Sequence, residues 1–217
     1  LVSLPRPSVD TGMGLERLTA ILQDKDSNYH SDLFEPLIVF IATEAQKTYT
    51  QTDSPDDISI RVIADHARAT SFLVADGIQP SNEGRGYVMR RIMRRAIRHA
   101  QRLGFSDLFF YKACTFVADH MGDAYPELIE TKTLIEKVAS LEEENFRRTL
   151  DTGLTLLEQE IADLKALNAA QIPGTTVFKL YDTYGFPKDL TEVIADEREL
   201  KGGHDGFATA MENQKRR

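Results

Sequence analysis

The sequence predicts an all-α fold built around one long helix, and three observations carry that expectation. Apolar residues recur at steps of three and four through most of the chain. From Pro126 the chain continues to Leu167, about 40 residues, with no further proline, enough for on the order of 60 Å of continuous helix. Short Gly-, Pro- and Ser-containing loops separate the periodic stretches.

Taken in order, residues 2–9, with Pro5 and Pro7, read as extended chain able to pair only at a sheet edge. A first helix is expected from about Leu15 to Gln23, after Gly12 and Gly14. Ser31–Tyr49 reads as a second, opened by Ser31-Asp32 as a cap, with Leu33, Leu37, Phe40, Ile41 and Ala45 turned inward. A third, near Asp56–Ala75, is apolar around most of its circumference, which marks a central core element. The loop Gly77–Gly84 then delivers the chain to an arginine-rich helix, followed by a helix near Ser106–Met121 that ends at Gly122. In the long helix Leu134, Val138, Leu141, Leu150, Leu154, Leu157, Ile161 and Leu164 approximate a heptad, with Gly153 as a point of bending. Acids outnumber bases there, so its outer face is read as solvent-directed. After Pro173-Gly174 comes a compact tail, with a final short helix from about Asp205.

At 217 residues the chain suffices for one large domain or two small ones. Its 41% hydrophobic and 28% charged residues are those of an ordinary soluble protein, and no run of 18 apolar residues offers a membrane span. The start Leu-Val-Ser, without Met, reads as a piece of a longer protein, and leaves a targeting segment upstream an open matter. Cys114 is the single cysteine; it excludes an internal disulfide, fits a reducing compartment, and sits in an apolar phase expected to bury it.

Against a net charge of −8, the stretch Glu83–Gly104 holds seven arginines (85, 90, 91, 94, 95, 98 and 102) and one acid. At helical spacing Arg91, Arg94, Arg95, Arg98 and Arg102 share one face, and Met89, Ile92, Met93, Ala96 and Ala100 the other. Such a face is either salt-bridged to the chain's own carboxylates or turned to an anionic polymer. Crowded like charge and the forked geometry of guanidinium favour the polymer, nucleic acid first.

Two further segments carry chemistry. In Val9–Arg17, two glycines two apart precede Glu-Arg at a helix start, either an ordinary turn-to-helix junction or a place where a ligand meets the backbone beside Arg17. In Leu180–Pro187, Asp182 lies among aromatics before a Gly-Phe-Pro turn. That segment is either a helix end with buried rings or a carboxylate able to accept from an exocyclic amino group.

Together, VDTGMGLERL, ADGIQPSNEGRGYVMRRIMRRAIRHA and KLYDTYGFPKDLT, in this order and spacing, resemble the alanyl-tRNA synthetases, a family of class II aminoacyl-tRNA synthetases, over essentially the whole chain. The resemblance implies that residues 1–27 are the last strand–helix edge of an antiparallel catalytic domain, carrying the third class II motif. It implies that residues 28–217 are a helical tRNA-recognition domain. In the family, ATP and alanine form an adenylate and the alanyl group passes to tRNA. The matching motif implies that Arg17 holds ATP, with Gly14 letting the backbone approach the nucleotide, and that Asp10 receives the alanine ammonium above a floor kept small by Gly12. The positions matching the readers of the family's G·U acceptor-stem pair are Asn82 and Asp182. Arg90, Arg91, Arg94, Arg95 and Arg98 become candidates for gripping its phosphates, although some of them are equally placed to pair with acids of the long helix.

The resemblance also sets bounds. Motifs one and two, and the editing domain with its zinc ligands, are expected outside this window, so the chain alone is expected to be inactive. ATP and magnesium are expected of the parent enzyme only, with no metal site here, since the five histidines lack metal spacing. The expected partners are the tRNA(Ala) acceptor stem, alanine and ATP, with no membrane or DNA partner, in the cytoplasm. The rival expectation is a structural docking domain without RNA binding of its own.

Overall fold

The computed structural model describes residues 12–167, 169, 171–184, 186–200 and 206–207. Among the described residues the fold is helical, without a β-strand: α1 (Leu15–Leu22), α2 (Glu35–Glu44), α3 (Pro55–Ala75), α4 (Gly84–Arg102), α5 (Phe110–Met121), α6 (Pro126–Glu130), α7 (Lys132–Ala166), α8 (Gly174–Tyr184) and α9 (Lys188–Glu197). The extended segment expected at residues 2–9 lies outside the described residues, as does nearly all of the helix expected from Asp205. The chain forms two compact units that part between Glu143 and Glu144.

In the first unit α3 is the central element, as its sequence predicts, and packs against α2, α4, α5 and α6. It opens at Ser54, whose hydroxyl accepts from the Asp57 amide at 3.2 Å, and contributes Ile60, Ile63, Ala64, Ala67 and Val74 to the core. Burying each of the larger side chains contributes roughly 1.5–3 kcal/mol. The Asp57 carboxylate is itself buried and closes the preceding loop, accepting from the amides and hydroxyls of Thr50 and Thr52 at 2.7–3.2 Å. Burial opposes its ionisation, but these hydrogen bonds outweigh it and hold the carboxyl below the usual range. Cys114 of α5 is fully buried, as expected, and burial pushes its thiol up.

Three expectations need correction. The second helix is Glu35–Glu44, shorter than Ser31–Tyr49. Ser31 instead terminates a single 3₁₀ turn, its hydroxyl donating to the Asn28 carbonyl at 2.8 Å, and Gln46, at φ 54°, ends α2 in the left-handed conformation. The long helix begins at Lys132 and not at Pro126, because Thr131, at φ −100° and ψ 4°, separates α6 from it. The heptad is out of phase at its start. Leu134 and Leu141 are exposed, while Ile135, Ala139, Glu142, Glu143 and Phe146 are buried.

In the second unit α7 supplies Leu157, Ile161 and Leu164, and α8 and α9 supply Val177, Leu180, Leu190 and Ile194. Gly153 is a seat for an aromatic ring here: a Cβ on it would stand 2.6 Å from Cγ of the fully buried Phe186. The Phe186 amide donates to the Leu180 carbonyl at 2.9 Å, folding the chain back over the end of α8.

Candidate nucleic-acid interface

The arginine helix starts from a turn that glycine makes possible. Gly84 opens α4 at φ 58°, and a Cβ on Gly86 would collide with the Gln79 carbonyl and the Ser81 side chain. The turn Gln79–Glu83 therefore lies directly on the first coil of α4, closed by a 2.8 Å hydrogen bond from the Ser81 hydroxyl to the Glu83 carbonyl. Asn82, at the turn, is exposed. Its Oδ1 accepts from the Arg90 guanidinium, which also donates to the Pro80 carbonyl at 3.3 Å.

The inner face of α4 buries Gly86, Met89, Met93, Ala96, Ile97 and Ala100. Ile97 joins the expected set, and Ile92 is only half-buried. The arginines then divide. Arg91, Arg95 and Arg102 are exposed and, with half-buried Arg98, follow one stripe along the helix at steps of four, three and four. Arg85 is exposed in the first turn. Arg90 and Arg94 lie on the shoulder of that stripe and face Glu142 of α7. Arg94 Nε is 2.8 Å and Arg90 Nε 3.3 Å from Glu142 Oε1, and the Glu142 side chain is 6% exposed.

The neighbouring Glu143 is fully buried and accepts from the Phe109 and Phe110 amides at 3.0 and 2.9 Å, so its carboxylate caps the N-terminus of α5. His99, half-buried on α4, lies 3.0 Å from the Ser59 hydroxyl. Burial, then the charges of Arg102, Arg95 and Arg98, push its imidazole down to about 4, so it is neutral near pH 7.

At the other end of the sequence motif map, Gly14 is the residue before α1, and Arg17 is exposed in the first turn of that helix. A Cβ on Gly12 would meet no described atom within 4 Å, and one on Gly14 only ordinary contacts with Glu16 and Arg17. Glu16 pairs with Arg68 of α3, whose guanidinium lies 4.5 Å from the Phe34 ring centroid. Asp10 lies outside the described residues. Asp182 is exposed on the last turn of α8, in the second unit, whereas Asn82 belongs to the first. Among the described residues no group of three or more His, Cys, Asp or Glu side chains is placed to hold a metal ion, and no helix is long and apolar enough to cross a membrane.

The sequence reading allowed for arginines pairing with acids of the long helix, but not for the burial of Glu142 and Glu143 or the seating of Phe186 on Gly153. Their one sequence signal was the apolar step Ile135, Ala139, Phe146, which brackets both acids at helical spacing.

Residues 1–217 match the profile of the family described as tRNA synthetases class II (A). The chain belongs to that family. It is 53% identical over all of its length to the alanine–tRNA ligase of Nitrosococcus oceani, 52% over 99% of its length to that of Acidithiobacillus ferridurans, and 51% over all of it to that of Pseudoalteromonas translucida. It spans 24% of each of these relatives. The three strings that carried the resemblance thus lie within a class II synthetase sequence.

Proposed function

We propose that this chain is the acceptor-stem-binding part of an alanine–tRNA ligase, a protein that uses ATP to attach alanine to tRNA(Ala), and that it reads the stem's G·U pair. The observation that carries the reading is the exposed arginine stripe of α4, which starts at the same turn that presents Asn82. In a G·U pair the guanine amino group lacks its Watson–Crick partner in the minor groove, which in RNA is wide and shallow enough for side chains. Asp182, acceptor-only when ionised, would take that amino group, while Asn82 meets the same pair with an amide. Arg91, Arg95, Arg98 and Arg102 would hold flanking phosphates, contacts that position the RNA without specifying it. Arg90 and Arg94, the remaining members of the expected phosphate set, also pair with Glu142.

At the N-terminal edge, Arg17 would lie against ATP with Gly14 beside the nucleotide, and Asp10 and Gly12 would line the alanine pocket. The exposed guanidinium and the two glycines fit an anionic, flat ligand. Magnesium would accompany the triphosphate and supply charge neutralisation. Residues 1–27 then belong to the catalytic domain and residues 28–217 to tRNA recognition, in a cytoplasmic enzyme.

The test is binding to two acceptor-stem hairpins, with G·U or G·C at the third pair, at two salt concentrations. G·U preference with an affinity that falls steeply with salt is expected, because each neutralised phosphate releases counterion. Absence of binding at both salts would favour the docking-domain reading, for which the Arg90 and Arg94 contacts with Glu142 speak.

A further inference from the structure

We infer that Arg90 and Glu142 are positioning residues that fix which end of the Asn82 amide is offered to RNA. The inference rests on reading Asn82 as a base-contacting residue. A guanidinium has five donors and no acceptor, so only the oxygen of the amide can face Arg90. With Oδ1 held by Arg90, the exposed side of Asn82 is its NH2 group. The turn is thereby set to donate, and the atom it meets in the minor groove is an acceptor.

Arg90 is placed for this by three separate constraints. Its guanidinium also donates to the Pro80 carbonyl at 3.3 Å, two residues before Asn82, so it grips the turn at both backbone and side chain. Its Nε lies 3.3 Å from the nearly buried Glu142 carboxylate, an ion pair without hydrogen-bond geometry that still holds the guanidinium electrostatically on the α7 side. Gly86 lets the turn press onto α4 where any larger residue would lift it. Lysine cannot reproduce the arrangement, because an ammonium is a point charge without a planar fork. Glu142 acts on Asn82 only through Arg90, and shares its charge with Arg94.

The experiment is aminoacylation by the alanine–tRNA ligase polypeptide that carries this segment, using tRNA with G·U or G·C at the third acceptor pair. The variants are Asn82→Ala, Asn82→Asp, Arg90→Lys, Arg90→Gln and Glu142→Gln. Asn82→Asp keeps an oxygen for Arg90 but turns a second acceptor outward. It should lower the G·U over G·C ratio of kcat/KM as far as Asn82→Ala does. Arg90→Lys and Arg90→Gln should each lower that ratio by about tenfold, the scale of losing one charge-assisted hydrogen bond. The loss should fall more heavily on kcat/KM for the G·U tRNA than for the G·C tRNA, with the thermal midpoint of Arg90→Lys within a few degrees of the parent. A merely structural Arg90 would instead lower both substrates together. Wild-type discrimination in both Arg90 variants, with Asn82→Ala impaired, would overturn the inference and leave the reading of Asn82 intact. Wild-type discrimination in Asn82→Ala would overturn the reading itself, and the inference with it.

Discussion

Gly153→Ala gives the packing argument a sign that two readings of the same glycine set in opposite directions. If Gly153 is simply a weak point in α7, alanine should stabilise the helix by about 1 kcal/mol, the usual difference in helix propensity. The structure predicts the reverse. The new Cβ would lie 2.6 Å from Phe186 Cγ and closer still to Cδ2, whereas carbon atoms in contact rest at about 3.5–4.0 Å. The ring must retreat by roughly 1 Å in a fully buried site, and overpacking of this kind costs about 1–3 kcal/mol. After the propensity gain, a net loss of up to about 2 kcal/mol is expected, assigned to the second unit by faster amide exchange in α8 and α9. Urea unfolding followed by circular dichroism measures it. The double variant Gly153→Ala/Phe186→Leu should recover most of the loss, giving a coupling above about 1 kcal/mol. A Gly153→Ala protein more stable than the parent would refute the reasoning outright.

Other expectations follow from single groups. Asp57→Ala strips the acceptor from four donors of Thr50 and Thr52 and should cost about 2–4 kcal/mol in urea unfolding. Because the folded-state carboxyl is held low, the parent's Asp57 contribution should be intact above about pH 4 and fade as pH falls further, a limb of the stability profile that Asp57→Ala lacks. His99 titrates at about 4 when folded and at about 6.5 when unfolded. Stability should therefore fall as pH drops from about 6.5 to 4, by roughly 2–3 kcal/mol in total, and His99→Gln should flatten that slope. The Thr70 hydroxyl is buried without a hydrogen-bond partner among the described residues, so Thr70→Val should be neutral or raise stability by up to about 1 kcal/mol in the same assay. Arg95→Ala should weaken hairpin binding equally for G·U and G·C stems and reduce the salt slope by about 1.

The helical character, the central α3 and the buried Cys114 were legible because each rests on local apolar periodicity that tertiary contacts only reinforce. The phase of α7 was not. Its buried face from Ile135 to Phe146 passes through Glu142 and Glu143, two residues that any hydrophobicity pattern assigns to solvent, so Leu134 and Leu141 were taken for the core instead. The acids are tolerated there because Arg94 and the N-terminus of α5 are brought to them by the fold, which no spacing within α7 can reveal. Ser31 misled for a related reason: its hydroxyl found the Asn28 carbonyl nearby, and so closed a 3₁₀ turn where a helix cap was expected. At the candidate site, the arginine stripe was visible from spacing alone. The pairing of Arg90 and Arg94 with Glu142 in particular was not, since it depends on where the fold places α7.

That pairing also bears on how an acidic chain can attract an anionic polymer. The net charge of −8 acts on RNA only over a Debye length, about 8 Å at physiological ionic strength. A ligand at α4 therefore feels the helix and its immediate neighbours. Glu142 offsets charge on the shoulder of the helix, at Arg90 and Arg94. His99 adds nothing near pH 7, because burial, and then the surrounding guanidinium groups, keep it neutral. On the proposed reading, attraction to RNA at α4 would be carried by its arginines, whose charge is constant over the physiological range. Binding to the acceptor stem should accordingly respond strongly to salt and hardly at all to pH between about 6 and 8. A pH-dependent affinity in that window, at fixed ionic strength, would place a titrating group at the interface and contradict this account of α4.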